Sequence, residues 1–242
     1  MRPTAITAIG VVVPAHDEQE RLGGCLASLV RAARHPLLAG VRVHVVVVLD
    51  SCRDRSAAVA AAVLAPALGE IVEVTVRSVG RARAAGMAAA LTHLDDVGRA
   101  GTWLCTTDAD SRVPADWLAL QVRLAAEGWE GVAGDIRVGD WAGTPEVVRH
   151  RYRALLASRV LPDGRHDHVY GANLGFTAAA YLGAGGFPPL DLDEDRSLWR
   201  LLEVDGRRLI ATRHVTVTTS GRRVGRARGG LADLLTRLAE PA

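Results

Sequence analysis

The sequence predicts an α/β protein with a mostly parallel sheet flanked by helices, and three observations carry that expectation. Short β-branched runs alternate with helix-period stretches through the first half of the chain, as right-handed β-α-β crossovers require. Acidic residues gather where those runs end: Asp17 and Glu18 after the first, Asp50 after the second, Asp108 and Asp110 after the fourth. Ligands of open parallel sheets sit beyond the carboxyl ends of the strands, so this convergence points to a cleft. The composition is that of a folded protein: 242 residues, 49% hydrophobic and 23% charged, can bury a substantial core.

Taken in order, Ile9 to Val13 reads as a buried strand that stops at Pro14, followed by the loop Ala15-His16-Asp17-Glu18. Leu22, Leu26, Leu29 and Val30 recur at helical spacing until Arg34-His35-Pro36. Val41 to Leu49 is the strongest strand signal, running into Asp50-Ser51-Cys52-Arg53-Asp54, and Ser56 to Leu64 is an Ala-rich helix. Ile71 to Val76 is a third strand, Gly80 to Leu94 a small-residue turn and helix, and Thr102 onward the fourth strand. Beyond it the pattern is less regular. Helices are expected over Trp117 to Ala126 and Pro145 to Leu156, and a strand over Val132 to Val138. A loop from Pro162 to His168 leads through Val169 to Phe176 into a short helix ending at Leu182. After the Gly185 to Pro189 loop, Glu194 and Asp195 open an amphipathic helix through Leu198, Leu201 and Leu202, and Arg208 to Thr219 alternates as one or two strands. Leu231, Leu234, Leu235 and Leu238 form a last apolar stripe, suited by default to docking on its own domain, with a twin subunit or a peripheral membrane contact left open.

The fourth strand is the one around which the rest is arranged. On an extended strand end, residues i and i+2 face the same side, so Asp108 and Asp110 address one space. Two such carboxylates need a cation, a shared proton or much water. A hard divalent ion, Mg2+ or Mn2+, is one answer. A solvated acidic turn is the other, and the run alone does not decide.

Several classes are excluded or disfavoured by what the chain lacks. All 29 basic residues are arginine, which removes P-loop phosphate chemistry, a Schiff-base lysine and the kinase lysine together. Cys25, Cys52 and Cys105 are odd in number and widely spaced, and read as thiols in a reducing compartment. No apolar run approaches the roughly 20 residues of a membrane span. A net charge of +2 argues against a general nucleic-acid binder, and a cytoplasmic location is expected.

Val11-Val12-Val13-Pro14-Ala15-His16-Asp17-Glu18, then Leu49 to Asp54, then Asp108-Ala109-Asp110, then Glu194-Asp195, taken in that order, resemble family 2 glycosyltransferases of the GT-A fold, from about Ile9 to Arg223. The resemblance implies one GT-A domain over 1–242, with a Rossmann-like nucleotide-sugar half (1–112), a smaller mixed acceptor and catalytic half (113–220), and a basic run with a short helix (221–242). It implies transfer of a sugar from a nucleoside diphosphate donor to an acceptor hydroxyl, most often with inversion, assisted by a divalent cation. Residue by residue, it places Pro14, Ala15, Asp17 and Glu18 against the nucleoside and Asp50 on the base edge, although Asp50 and Asp54 equally suit capping around Ser51 and Ser56. Gly80 to Gly86 resembles the family's Gly-x-Ala-Arg segment, which would bring Arg83 to the donor phosphates. A helix packed through small residues with solvated arginines explains it as well.

The same resemblance makes Asp110 the metal ligand, with Asp108 and Ala109 beside ribose or donor sugar, and brings in His214 as a third ligand, where a plain strand histidine is the rival reading. Asp195 would be the general base. Glu194, Tyr170, Gly171, Ala172 and Asn173 would line the acceptor side, with Trp199 on a sugar ring or in the core. Glu194 also suits the start of any helix. His166 and His168 read as a polar loop before a metal site. The run Gly221 to Gly230 would clasp a diphosphate or an anionic acceptor, or be solvated. A nucleotidyltransferase would want a Gly-rich basic first loop, an Asp-x-Asp phosphatase would place its motif at the first strand, and a non-catalytic sugar-nucleotide binder would not need Asp195.

Overall fold

The structure is a computed structural model and describes residues 4–141, 143–161, 165–222, 225 and 230–240. Strands β1 (Ala8–Ala15), β2 (Arg42–Asp50), β3 (Gly69–Val74), β4 (Thr102–Thr106), β5 (Gly131–Val138), β6 (Leu174–Thr177) and β7 (Leu209–Thr219) form one sheet in the order β3-β2-β1-β4-β6-β5-β7. The pairs β1–β2, β1–β4, β2–β3 and β5–β7 are parallel. Among the described strands only β6, antiparallel to both β4 and β5, runs the other way. The mostly parallel sheet expected from the sequence is therefore observed.

Helices α1 (Leu22–Ala33), α2 (Ser56–Val63) and α4 (Trp117–Ala126) cover one face. Their apolar stripes meet Val11, Val13, Val45 and Val47 in a core anchored by Trp103 and Trp117. Helices α3 (Val79–His93), α6 (Ala178–Gly183) and α7 (Glu194–Val204) cover the other, packing Met87, Leu198 and Leu202 against Val12, Val46 and Phe176. Alternate residues of the same valine runs thus feed two cores, the mark of strands buried on both faces. The Gly/Ala character of α3 has a direct cause. A Cβ at Gly86 would penetrate Val12 and Val48, so only a bare backbone lets the helix lie this close to β1 and β2. Helices α5 (Glu146–Ala157) and α8 (Leu231–Ala239) form a satellite cluster around Val148, Tyr152 and Leu235, where the stripe Leu231, Leu234, Leu235 and Leu238 docks on its own chain.

Two expectations change and a third narrows. Strand β3 ends at Val74, two residues before Val76, because the Val76 amide leaves the ladder to bond Asp50. Leu174–Thr177, to which the sequence assigns no element, is a strand: it slots between β4 and β5, and no local pattern announces that pairing. Leu209–Thr219 is one strand with a bulge, since the register jumps from Gly134↔Thr212 to Asp135↔Thr216 and expels Arg213, His214 and Val215. Of the Pro162 to His168 loop, residues 162–164 lie outside the described residues, as do 223, 224 and 226–229 of the basic run.

Candidate active site

The carboxyl ends of β1, β2 and β4 open on one side of the sheet, and the start of α7 closes over them. The loop after β4 turns at once: the Ser111 amide bonds the Asp108 carbonyl, and Arg112 pairs antiparallel with Thr218 through bonds of 2.7 and 2.9 Å. That stitch fastens the end of β7 beside the Asp-Ala-Asp run, while Ala109 points into the core.

Each aspartate of the run is held by its own arginine, which it shares with a glutamate from elsewhere. Asp108 accepts from Arg83 Nη2 at 2.6 Å, and Arg83 Nη1 bonds Glu194 Oε1. Arg83 is buried beneath the Phe187 ring, whose centroid lies 5.9 Å from the guanidinium carbon. Burial alone works against its charge, and Asp108, Glu194 and Asp195 more than reverse that. Burial likewise pushes the Glu194 carboxyl up, with Arg83 offsetting part of the rise. Asp110 Oδ2 lies 3.2 Å from Arg222 Nη2, which also reaches Glu18 Oε1 at 2.6 Å, and Thr219 Oγ1 lies 3.4 Å from Asp110 Oδ1. Burial, then the neighbouring Asp108, raises the Asp110 carboxyl to about 6. Arg222 Nη1 is buried without a partner among the described residues.

Asp195 sits beside the first of these groups. Its Oδ2 accepts from the Gly171 amide and its Oδ1 from the Arg196 amide, both at 2.7 Å. One strong bond to each oxygen fixes the plane of the carboxylate and leaves lone pairs on both for a further donor. Gly171 has to be glycine because a Cβ there would enter the Arg83 guanidinium.

A depression of about 320 Å³ lies between the loops after β1 and β2, lined by Asp17, Glu18, Gln19, Arg53 and Asp54 among others. Asp17 adopts φ 51°, and its Oδ1 accepts from the Arg53 and Asp54 amides; the first of these bonds holds its carboxyl below the usual range. Asp54 accepts from the Ser56 and Gln19 amides, the capping role weighed from the sequence. Pro14, half-buried, and the buried Ala15 pair with Val48 and Leu49 in the ladder.

Several sequence-derived roles are not matched by the geometry. Asp50 is spent on backbone: Oδ1 accepts from Val76, Arg77 and the Ser51 hydroxyl, and Oδ2 from Ser78, so it shapes the turn into α3 instead of facing a base. Arg83, expected at donor phosphates, is consumed by carboxylates. Asn173 is 1% exposed; its amide donates to the Asp135 and Val215 carbonyls and accepts from Trp117, bracing β5, the β7 bulge and α4. Trp199 belongs to the core, as does Ala172. His214 is exposed on the bulge, five residues before Thr219, or about 16 Å along a strand, and is not brought to Asp110. The residues that β7 and its exit do bring there are Thr219 and Arg222. Arg222 lay within the basic run noted from the sequence, but nothing local singled it out from its neighbours.

The glycosyl transferase family 2 model matches residues 10–181, well over half of the chain, and the chain belongs to that family. No curated protein matches it in sequence. Among solved structures it is similar to TarS from S. aureus in complex with UDP-GlcNAc, at 14% identity and TM-score 0.66 over 96% of this chain and 65% of that one. It is also similar to the mannosyltransferase PcManGT from Pyrobaculum calidifontis, solved with GDP-Man and Mn2+, at 22% identity and TM-score 0.65 over 90% and 58%. Glucosyl-3-phosphoglycerate synthase from Mycobacterium tuberculosis, solved with Mn2+, UDP and phosphoglyceric acid, gives 18% identity and TM-score 0.57 over 97% and 80%. The chain thus spans less than two thirds of the TarS and PcManGT chains, and these likenesses establish the shared GT-A fold. Among the described residues no helix is long and apolar enough to cross a membrane.

Proposed function

We propose that the protein transfers a sugar from a nucleoside diphosphate donor to an acceptor hydroxyl, with inversion and with Asp195 as the general base. The observation that carries this is the convergence of Glu18, Asp108, Asp110, Glu194 and Asp195, from two strand ends and one helix start, on one side of the sheet. Glu18 and the depression beside it would receive the nucleoside. Asp195, oriented by the Gly171 and Arg196 amides, would take the acceptor proton as that oxygen bonds the anomeric carbon and the bond to the diphosphate breaks. Solved neighbours carry Mn2+ with their nucleotides, which supports a divalent cation here.

The chain's own residues fit such an ion. Asp110 is half-buried beside Asp108 and Glu18, its proton affinity is raised, and a guanidinium already occupies the position where positive charge is needed. A hard cation held through Asp110 would neutralise charge on the leaving diphosphate. Thr219 Oγ1 would orient that carboxylate, and Arg222 would yield Asp110 to the ion.

Transfer and donor hydrolysis with UDP- and GDP-sugars, in Mn2+ and in EDTA, test this directly. Asp195→Asn is expected to lower kcat by about 10²- to 10⁴-fold, with little change in donor KM or melting temperature. Full turnover by Asp195→Asn sinks the assignment of the base. No thermal stabilisation by any nucleotide sugar sinks the assignment of the reaction.

A further inference from the structure

At the opposite end of the sheet from the cleft, three metal-ligating side chains from three elements meet on the α3 face. His44 stands near the start of β2, Glu70 near the start of β3, and His93 is the last residue of α3. His44 Nε2 and Glu70 Oε1 are 3.1 Å apart, and the His93 ring stacks on His44 with centroids 3.5 Å apart. One ligand atom from each lies within 4.8 Å of the other two. We propose that His44, Glu70 and His93 form a zinc site, separate from the cleft, that clamps the end of α3 to β2 and β3.

The donor set argues for zinc over the hard ions of the cleft, since two imidazoles and one carboxylate suit a tetrahedral Zn2+ with water in fourth place. Ligands about 2.0–2.2 Å from such an ion lie roughly 3.4 Å from one another, close to the separation already present between His44 and Glu70. The stacked rings, 8° from parallel, keep their in-plane lone pairs side by side, so one ring has to turn edge-on to share the ion. His93 is exposed and is the ring that turns. The last turn of a helix also favours a cation, because its carbonyls carry the negative end of the dipole. The nearest opposing charge, Arg42, is already paired with Asp96 through two hydrogen bonds.

A second set, Asp17, Cys52 and Asp54, gathers as tightly, yet its carboxylates are committed. Asp17 holds the Arg53 and Asp54 amides and Asp54 holds those of Ser56 and Gln19, so an ion there would have to disrupt four backbone bonds. At the histidine site it displaces two side-chain contacts, the His44–Glu70 pair and the His44–His93 stack.

The test uses tag-free, metal-stripped full-length protein in excess Mg2+, which keeps oxygen-only sites filled, titrated with Zn2+ by calorimetry and with Co2+ by visible absorption. Expected are one equivalent of Zn2+, the intense Co2+ bands of a four-coordinate nitrogen-containing site, and a Zn2+-dependent rise in melting temperature. All three should be lost in His93→Ala and binding weakened at least tenfold in Glu70→Gln. Because His93 is exposed, His93→Ala should melt like the parent in EDTA, which shows that it folds. Zn2+ binding that is absent from the parent, that survives His93→Ala, or that is lost in Cys52→Ser overturns the proposal.

Discussion

Asp108 and Asp110 stand one residue apart, and each is bound into an arginine–carboxylate triad, but the two triads are built to different ends. In the first, Arg83 projects from α3, its side chain 4% exposed, and is enclosed by Asp108, Glu194, Phe187 and the bare Cα of Gly171. In the second, Arg222 arrives from beyond β7 with its side chain 18% exposed; among the described residues each arginine keeps one buried nitrogen without a partner, Nε of Arg83 and Nη1 of Arg222. The first is a cross-brace fixed through both terminal nitrogens; the second is a counter-charge whose described contacts all run through Nη2. Buried ion groups are costly to break and cheap to replace as a set, whereas a half-open one can exchange its cation. The comparison therefore assigns architecture to Arg83 and exchange to Arg222.

The largest expected effect tests the brace. Arg83→Met leaves Glu194 and Asp108 without their shared cation and is expected to cost about 3–5 kcal/mol in urea unfolding. Adding Glu194→Leu should recover most of that loss, because the uncompensated buried charge goes with it. If Arg83→Met is neutral by itself, the triad carries no structural load and the contrast with Arg222 collapses.

Next comes pH. The folded value for Asp110, about 6, lies above its ordinary 3.8, so the native state binds the extra proton between these limits. Stability of the ligand-free protein should accordingly fall as pH rises from about 4 to about 6 and level off above, by roughly 3 kcal/mol for a shift of about two units. Asp110→Asn should remove that slope and leave the protein more stable than the parent at pH 7. An unchanged slope in the variant assigns the titration to another group.

The architecture around β1, β2 and β4 was legible in the sequence because its signals are local. Valine runs of strand length, helix-period leucines and acidic strand ends announce β1, β2, β4 and their cleft without knowledge of partners. What was not legible depends on contacts made at a distance. Asp50 looks like a ligand-facing acid until the turn 26 to 28 residues later donates three amides to it. Asn173 looks like a sugar contact until Asp135 and Val215 converge on it. Arg83 reads as a phosphate binder until Glu194, 111 residues on, claims it. His214 carries the chemistry of a metal ligand but sits on the wrong part of β7, and a three-residue bulge cannot be read from an alternating pattern.

Arg222 gives the smallest effect and the sharpest test of exchange. Its guanidinium lies 3.2 Å from Asp110, where a divalent ion would compete for the same oxygens. Arg222→Gln should lose about 1–2 kcal/mol of ligand-free stability, the order of one charged hydrogen-bond set that is partly open to solvent. At the same time it should bind Mn2+ more tightly in the absence of nucleotide. Removing one competing positive charge worth about 1.4 kcal/mol corresponds to about tenfold in affinity, read as free Mn2+ by electron paramagnetic resonance. The parent should approach that affinity only when a nucleoside diphosphate is added, because the diphosphate offers the displaced guanidinium a new anionic partner. If Arg222→Gln binds Mn2+ no better than the parent, Arg222 is a second brace like Arg83, and the two triads differ in position alone.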